Sequence, residues 1–527
     1  MKRFVSALLA VAMLLSFCPM VLAEEAAAAV EAAQPDVTAE AAEQTAETAK
    51  PTETETPIEE ETPALTVQAA LTMPTADLTE TTDEVAYRLD GAADWTSSTL
   101  AGAVTAIGKG TGTIKVLKDI AVSAEIKITG NVTLITDGKD VVIKRANTLT
   151  DAPVISVASG ATLNLGTETA MENTLTIDGG AVWNGNDGHP NAEVSMSSDK
   201  SNNTGVKANW CLLKNDNGTL NMYNNVILQN NHFFPDINTE HCGAGVGNNG
   251  TFYMHGGKIW NCNSYSSGET GGAVANNGAD KKITPPVAFY MYGGEICYNT
   301  AFVGGGVSVG SSNNQKNSAK FEMHGGSIHD NIGAGMMAHS GGGVYVNKIS
   351  SFIMYGGKII DNSVKYAMNS WDYIEAGGGG IDAHGAIEIK EGAYIANNSF
   401  ESNGKPTKVY GSDIAHSPDD DTSATVSLPS KTTVDGVEYD VIWFQDGLLD
   451  SNNLVDVNSI YSESNQIKKT DFSDINVNYG LKAVYEEIHK SSVTVIDPIY
   501  MVATYPGGTD SKIGTITVTG ASDLAAV

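Results

Sequence analysis

Apolar and polar residues alternate in short runs from about Glu84 onward. Thr113-Ile114-Lys115-Val116-Leu117, Ala124-Glu125-Ile126-Lys127-Ile128, Val132-Thr133-Leu134-Ile135 and Val141-Val142-Ile143 are such runs, punctuated by Gly130-Asn131 and Asp137-Gly138. Alternation over three to five residues between turn residues predicts half-buried strands joined by tight turns. Ser97 to Ile107 predicts one short amphipathic helix leading into them.

From Leu175 the pattern repeats. The clearest copies are Phe252-Tyr253-Met254-His255-Gly256-Gly257-Lys258-Ile259, Phe289-Tyr290-Met291-Tyr292-Gly293-Gly294-Glu295-Ile296, Phe321-Glu322-Met323-His324-Gly325-Gly326-Ser327-Ile328 and Phe352-Ile353-Met354-Tyr355-Gly356-Gly357-Lys358-Ile359. Degenerate copies begin at Leu175, Leu220 and Ile387. Counted at the first residue of the Gly-Gly position (179, 224, 256, 293, 325, 356, 391), the steps are 45, 32, 37, 32, 31 and 35. Six residues further on stands Asn230, Asn299, Asn331, Asn362 or Asn397, and a second glycine-rich element follows, as in Gly304-Gly305-Gly306-Val307 and Gly341-Gly342-Gly343-Val344.

Strand alternation turns Phe252 and Met254 inward and Tyr253 and His255 outward. Gly-Gly permits a bend that side chains would block. Asn at the sixth position suits a left-handed turn and an amide bond to its equivalent one unit above. The glycine-rich element and its Val supply a third strand. Three short strands per unit predict an all-β fold: a parallel β-helix solenoid over residues 84–420. Leucine-rich and RTX repeats fit worse, since only Gly377 to Asp382 matches the latter, and once; a β-propeller is the runner-up.

The GG-x-I-x-x-N…GG[AG]V pattern resembles the repeats of right-handed parallel β-helix surface proteins of the pectin-lyase-like superfamily. It is similar to those of polymorphic outer-membrane proteins and adhesin-like proteins. The resemblance covers about residues 85–420 and implies a right-handed coil. It does not choose a function, because that superfamily holds lyases, hydrolases, epimerases and passive adhesins.

The flanks differ in composition. Residues 1–23 read as a signal peptide, with Lys2-Arg3, an apolar stretch and Val21-Leu22-Ala23 as the cleavage site. Residues 24–80 form an Ala/Glu/Thr/Pro-rich linker, expected to be a disordered stalk, because it has no aromatic residue before Thr72 and eleven Glu against a single Lys up to Glu61. Residues 421–490 are expected to form a β-rich cap on the last rung, and 491–527 a partial or small β-sandwich-like segment. No apolar run after the signal reaches a membrane-spanning length of ~18 residues. The chain ends without a sorting motif or anchor, which reads as a fragment or a freely secreted protein. Cys211, Cys242, Cys262 and Cys297 read as buried thiols.

Asp plus Glu number 62 against 31 Lys plus Arg, a net charge of −31, which excludes a nucleic-acid partner and an anionic membrane surface. No arginine follows Arg145. Polysaccharide lyases on this fold use Arg or Lys beside clustered carboxylates, and glycoside hydrolases need paired carboxylates. Only faint echoes occur, at Asn238-Thr239-Glu240 and Ala383-His384-Gly385; Asp419-Asp420-Asp421 reads as a solvated run. Gly306-Val307-Ser308-Val309-Gly310 lies inside a repeat strand rather than at a nucleophile elbow. Neither a catalytic residue, a metal site nor a cofactor is assigned. The expectation is an exported adhesin-like binding protein, extracellular or wall-associated, whose partner is a glycan or a host or neighbour cell surface. The alternative is a divergent polysaccharide lyase or glycoside hydrolase. The residue before each Gly-Gly position, Tyr223, His255, Tyr292, His324 and Tyr355, is the candidate ligand-binding column. The pattern sets no oligomeric state.

Overall fold

A computed structural model describes residues 83–182, 205–233, 243–264, 271–277, 287–310, 318–333, 341–365, 374–401, 407–416, 425–446, 466–467, 471–472, 479–488, 502–503 and 511–512. The signal segment, the linker, most of 491–527, Cys242, Asn238-Thr239-Glu240 and Asp419-Asp420-Asp421 lie outside them.

The described residues are nearly all β, 55 % strand and 3 % helix, and the repeats form a parallel β-solenoid. Three large sheets hold most of the described strands, each circuit of the solenoid adding a strand to each of them. The parallel part of the first sheet runs from Thr111–Val116 to Val426–Ser427, the second sheet from Ile120–Val122 to Ala393–Ala396, and the parallel part of the third from Ile126–Ile128 to Ile414–His416. The third-sheet strands begin at the Val after each glycine-rich element: Val246, Val274, Val307 and Val344.

Register sets the core. Leu163, Leu220, Phe252, Phe289, Phe321, Phe352 and Ile387 lie one above another in the first sheet. The four Phe rings are 4.6–4.8 Å apart and within 16° of parallel, the spacing of neighbouring strands. Met222, Met254, Met291, Met323 and Met354 stack beside them, fully buried. The second sheet adds Leu228, Ile259, Ile296, Ile328, Ile359 and Ile395. The predicted register of the Phe and Met columns is therefore the one observed. The bend after them needs glycine: Gly294 has φ +87, and a Cβ there would lie 2.5 Å from the carbonyl oxygen of Gly257 one rung away.

The corner asparagines divide the work expected of one residue between two neighbours. The left-handed position is Asn230, Asn261, Tyr298, Asp330, Asp361 or Asn397. The next residue, Asn299, Asn331, Asn362 or Asn398, is buried and builds an amide ladder. Each of the first three donates from Nδ2 to the next Oδ1 at 2.9–3.0 Å, and its backbone N–H donates to the same oxygen at 3.0–3.1 Å. Nδ2 also donates to inward-facing backbone carbonyls, as Asn331 does to Ile296. So Asn397 is a turn residue, whereas Asn230 combines both tasks: it is left-handed, and its Oδ1 accepts from Asn261 Nδ2 one rung on at 2.7 Å. A second ladder, Asn215–Asn248–Asn276, runs along the third sheet with 2.8 Å amide contacts.

Both ends of the stack are closed. At the first, Val85–Leu89 pairs antiparallel with Thr111–Val116, and helix α1, Leu100–Ile107, buries Leu100, Ala103, Val104 and Ile107. The Thr99 hydroxyl caps α1, and the Glu84 carboxylate accepts from the Leu100 N–H, satisfying donors a helix start leaves open. At the other end, Tyr479–Glu487 pairs antiparallel with both Ile414–His416 and Val437–Gln445. Two hydroxyls serve the open edge of Ala393–Ala396. Tyr485 Oη accepts from the Ile395 N–H and donates to its carbonyl, and Thr432 Oγ1 accepts from the Gly392 N–H and donates to the Ala393 carbonyl. Unpaired edges of this kind otherwise recruit other chains. The Asn398 amide donates to Asp413 Oδ1, whose Oδ2 accepts from the Ala483 N–H, so Asp413 joins the ladder to the cap.

Burial raises the Asp413 carboxyl from 3.8 to about 6, against the opposing pull of Lys482. Burial, with His384, lowers His416 from 6.5 to about 4. The signs oppose. As pH falls from about 6.5 to 4 the unfolded chain takes up a proton that folded His416 refuses, so His416 contributes a loss of stability. Between about 6 and 3.8 folded Asp413 takes up a proton before the unfolded chain does, so Asp413 contributes a gain. Each is worth on the order of 3 kcal/mol. Asp413→Asn should therefore be more acid-sensitive than the parent by about 2 kcal/mol, the part of the gain that falls in this window, when guanidinium unfolding is compared at pH 6 and pH 4. Parallel pH profiles for parent and variant would contradict the assignment.

Candidate functional site

Each of the five ring-bearing positions follows the inward Met that ends a first-sheet strand: Met222, Met254, Met291, Met323 and Met354. Ladder hydrogen bonds fix their backbones: the N–H groups of His255, Tyr292, His324 and Tyr355 donate to the carbonyls of Met222, Met254, Met291 and Met323 at 2.7–2.8 Å. Alternation puts their side chains on the outer face. Tyr292 and Tyr355, 46 % and 40 % exposed, are among the few large side chains that the fold leaves out of its core.

The rings form one continuous stack. Centroids are 4.7 Å apart for Tyr223–His255, 5.5 Å for His255–Tyr292, 4.8 Å for Tyr292–His324 and 4.6 Å for His324–Tyr355, with planes within 17°. Inner ring faces are thus covered by neighbouring rings, and the column offers its edges outward. Those edges carry Tyr hydroxyls and His nitrogens at intervals of about one rung. A shorter row flanks the column. Tyr253 stacks on Tyr290 at 5.1 Å, Lys320 lies 4.9 Å from the Tyr290 ring, and Glu322 bridges Lys320 at 2.9 Å and His324 at 3.3 Å.

Burial among the rings lowers the His255 pKa, although Glu168 pulls it upward. Burial and Glu168 raise Tyr223; burial and the neighbouring Tyr290 and Tyr292 raise Tyr253. The Tyr223 and Tyr253 phenols therefore stay protonated at neutral pH and act as hydrogen-bond donors and acceptors rather than bases. Such a strip can bind but lacks a nucleophile poised against a base.

The residues that echoed enzyme motifs occupy structural positions. Ser308 is fully buried in strand Val307–Val309, and its hydroxyl accepts from the Gly271 N–H. Arg145, 1 % exposed, donates to the carbonyls of Leu149, Ala152, Trp210 and Cys211, and burial lowers its pKa to about 10. His384 is buried after strand Ile381–Ala383, beside Asp382 and Tyr345. A shallow depression between Ser351–Ile353, Ala386–Glu388 and Thr425–Ser427 holds one carboxylate, Glu388, engaged by Lys390; one carboxylate does not make a hydrolase pair. Cys211, Cys262 and Cys297 are buried thiols outside any disulfide, as expected.

Sequence reasoning missed a cluster on the second sheet. Cys297 and His329 stand four residues past the first Gly of consecutive repeats, at 293 and 325, so repeat arithmetic would have paired them. With Glu295 they bring a carboxylate oxygen, a thiol and an imidazole nitrogen within 4.8 Å of one another.

No helix among the described residues is long and apolar enough to cross a membrane. Compared with protein-family profiles, curated proteins and solved structures, the chain matches none. Its architecture rests on its own repeats: a parallel β-solenoid carrying an exposed column of stacked rings.

Proposed function

We propose that this is an exported adhesin-like binding protein, secreted or wall-associated, of the pectin-lyase-like β-helix type, which holds an extended neutral glycan along the Tyr223–His255–Tyr292–His324–Tyr355 column without catalysis. The observation that carries the reading is the unbroken, solvent-facing stack of five alternating Tyr and His rings. Packing already holds the rings in place, so binding orders few rotamers. Because ring faces are taken by neighbours, the glycan is read by the ring edges, with Tyr hydroxyls and His nitrogens meeting successive sugar hydroxyls. A net charge of −31 and a site without arginine disfavour acidic polymers.

The test is retention on immobilised mannan, xylan and β-glucan, with polygalacturonate and alginate as acidic controls. Retention is expected on a neutral polymer only, with no new reducing ends or product absorbance. Tyr292→Ala with Tyr355→Ala should weaken it at least about tenfold, the scale of losing ~1.4 kcal/mol, while thermal stability changes little. Tyr292→Phe with Tyr355→Phe should weaken it too, since stacking survives and the hydroxyl edge is lost. Undiminished retention by the alanine pair would reduce the column to scaffold.

A further inference from the structure

The outer face of the second sheet carries a different chemistry. Strand Glu295–Cys297 turns Ile296 into the core, so Glu295 and Cys297 share the opposite side. His329 is the register partner of Cys297 one rung on. Its Nδ1 lies 2.7 Å from Asp330 Oδ2, which leaves Nε2 as the nitrogen available to an ion and fixes the ring. A carboxylate on the far nitrogen is the usual support of a metal-binding histidine. On the preceding rung Lys258 sits beside Glu295 at 3.1 Å, and Trp260 is the register partner of Cys297.

We propose that Glu295, Cys297 and His329 form a binding site for a divalent transition-metal ion, Zn²⁺ above all, with water as fourth ligand. Thiolate, imidazole and carboxylate together suit zinc, whereas Ca²⁺ and Mg²⁺ take oxygen ligands. Bonds of about 2.0–2.3 Å at tetrahedral angles place ligand atoms roughly 3.3–3.6 Å apart. Donor atoms already within 4.8 Å therefore reach that geometry by side-chain rotation, without moving the sheet. Two of the three ligands come from one strand and the third from the next, so the strand ladder pre-positions them. The Lys258 ammonium occupies the neighbouring space as a built-in counter-cation of Glu295 and competes with the metal. Binding is coupled to proton release, because a ligating imidazole must be neutral and a ligating thiol deprotonated. This site is independent of the ring column and its glycan.

The experiment titrates ZnCl₂ into the full-length, metal-stripped protein by calorimetry and records the absorption of the CoCl₂ adduct. One equivalent is expected to bind, with a thiolate-to-cobalt charge-transfer band in the near ultraviolet. Cys297→Ser and His329→Gln should each weaken binding at least tenfold, and Lys258→Met should strengthen it. Circular dichroism checks that each variant folds; Glu295→Gln, at an exposed position, decides the matter should the Cys297 change disrupt the sheet. Equal zinc uptake by the parent and by folded Cys297→Ser or Glu295→Gln protein overturns the proposal, as does a cobalt adduct without the thiolate band.

Discussion

Ile328→Asp is expected to destabilise the solenoid by upward of about 4 kcal/mol. Ile328 is fully buried, with Ile296 and Ile359 as its register partners on either side. The change removes packing worth ~2–5 kcal/mol and places a carboxyl group where its neighbours are aliphatic. The loss should be local, because each rung contacts chiefly the rungs beside it. Amide exchange should accelerate across strands 295–297 to 357–360 and stay slow across strands 111–116 to 175–178. Uniform loss of protection, from the first rung to the last, would contradict the array description. Ile328→Val, which keeps the shape apolar, should cost only about 1 kcal/mol.

Asn331→Leu should cost about 3–5 kcal/mol although it makes a buried position more apolar. The asparagine amide donates to the Ile296 carbonyl and to Asn362 Oδ1, and its own Oδ1 accepts from both nitrogens of Asn299. Leucine fills similar space but strands those partners inside the protein, and each stranded polar group costs ~1–3 kcal/mol. Denaturant unfolding measures the loss, and exchange at the Asn299 amide locates it. A stability within about 1 kcal/mol of the parent would mean that the ladder is decoration on an already sufficient core.

The parts of this protein that repeat were legible. Phe252, Phe289, Phe321 and Phe352 recur at rung spacing between residues of opposite polarity, which set both their column and their inward direction before any coordinates. The glycine-rich strands and the exposed ring column followed from the same periodicity. The ladder was read at the right residues, Asn299, Asn331 and Asn362, but except at Asn230 one of the two tasks falls on a neighbouring position, for a physical reason. The bend from Tyr223 to Ile227 spans one residue more than its register equivalent from His255 to Lys258. The bend after Lys390 carries the same extra residue, with Ala393 opposite Gly357. Counting from the Gly-Gly position therefore lands on the left-handed residue in those rungs and on the ladder residue elsewhere. Alternation gives the side of the sheet, and rings repeated at rung spacing on one side are set to stack on one another, as they do. Singular features left no period to follow. Thr432, Tyr485 and Asp413 each serve one edge or one ladder end, and Arg145 gathers carbonyls from segments up to 66 residues away.

The asparagine ladder has a direction. From Asn299 to Asn398 every amide donates toward the later rung, so the side-chain dipoles add along the axis, as peptide dipoles do in a helix. Their positive end meets Asp413, whose carboxylate is thereby favoured against the burial that opposes it. The solenoid is consequently an electrically polar rod segment whose two ends cannot exchange roles. One end takes an anion, Asp413, as its terminator, and at the other Asn299 Oδ1 accepts from the Cys262 N–H.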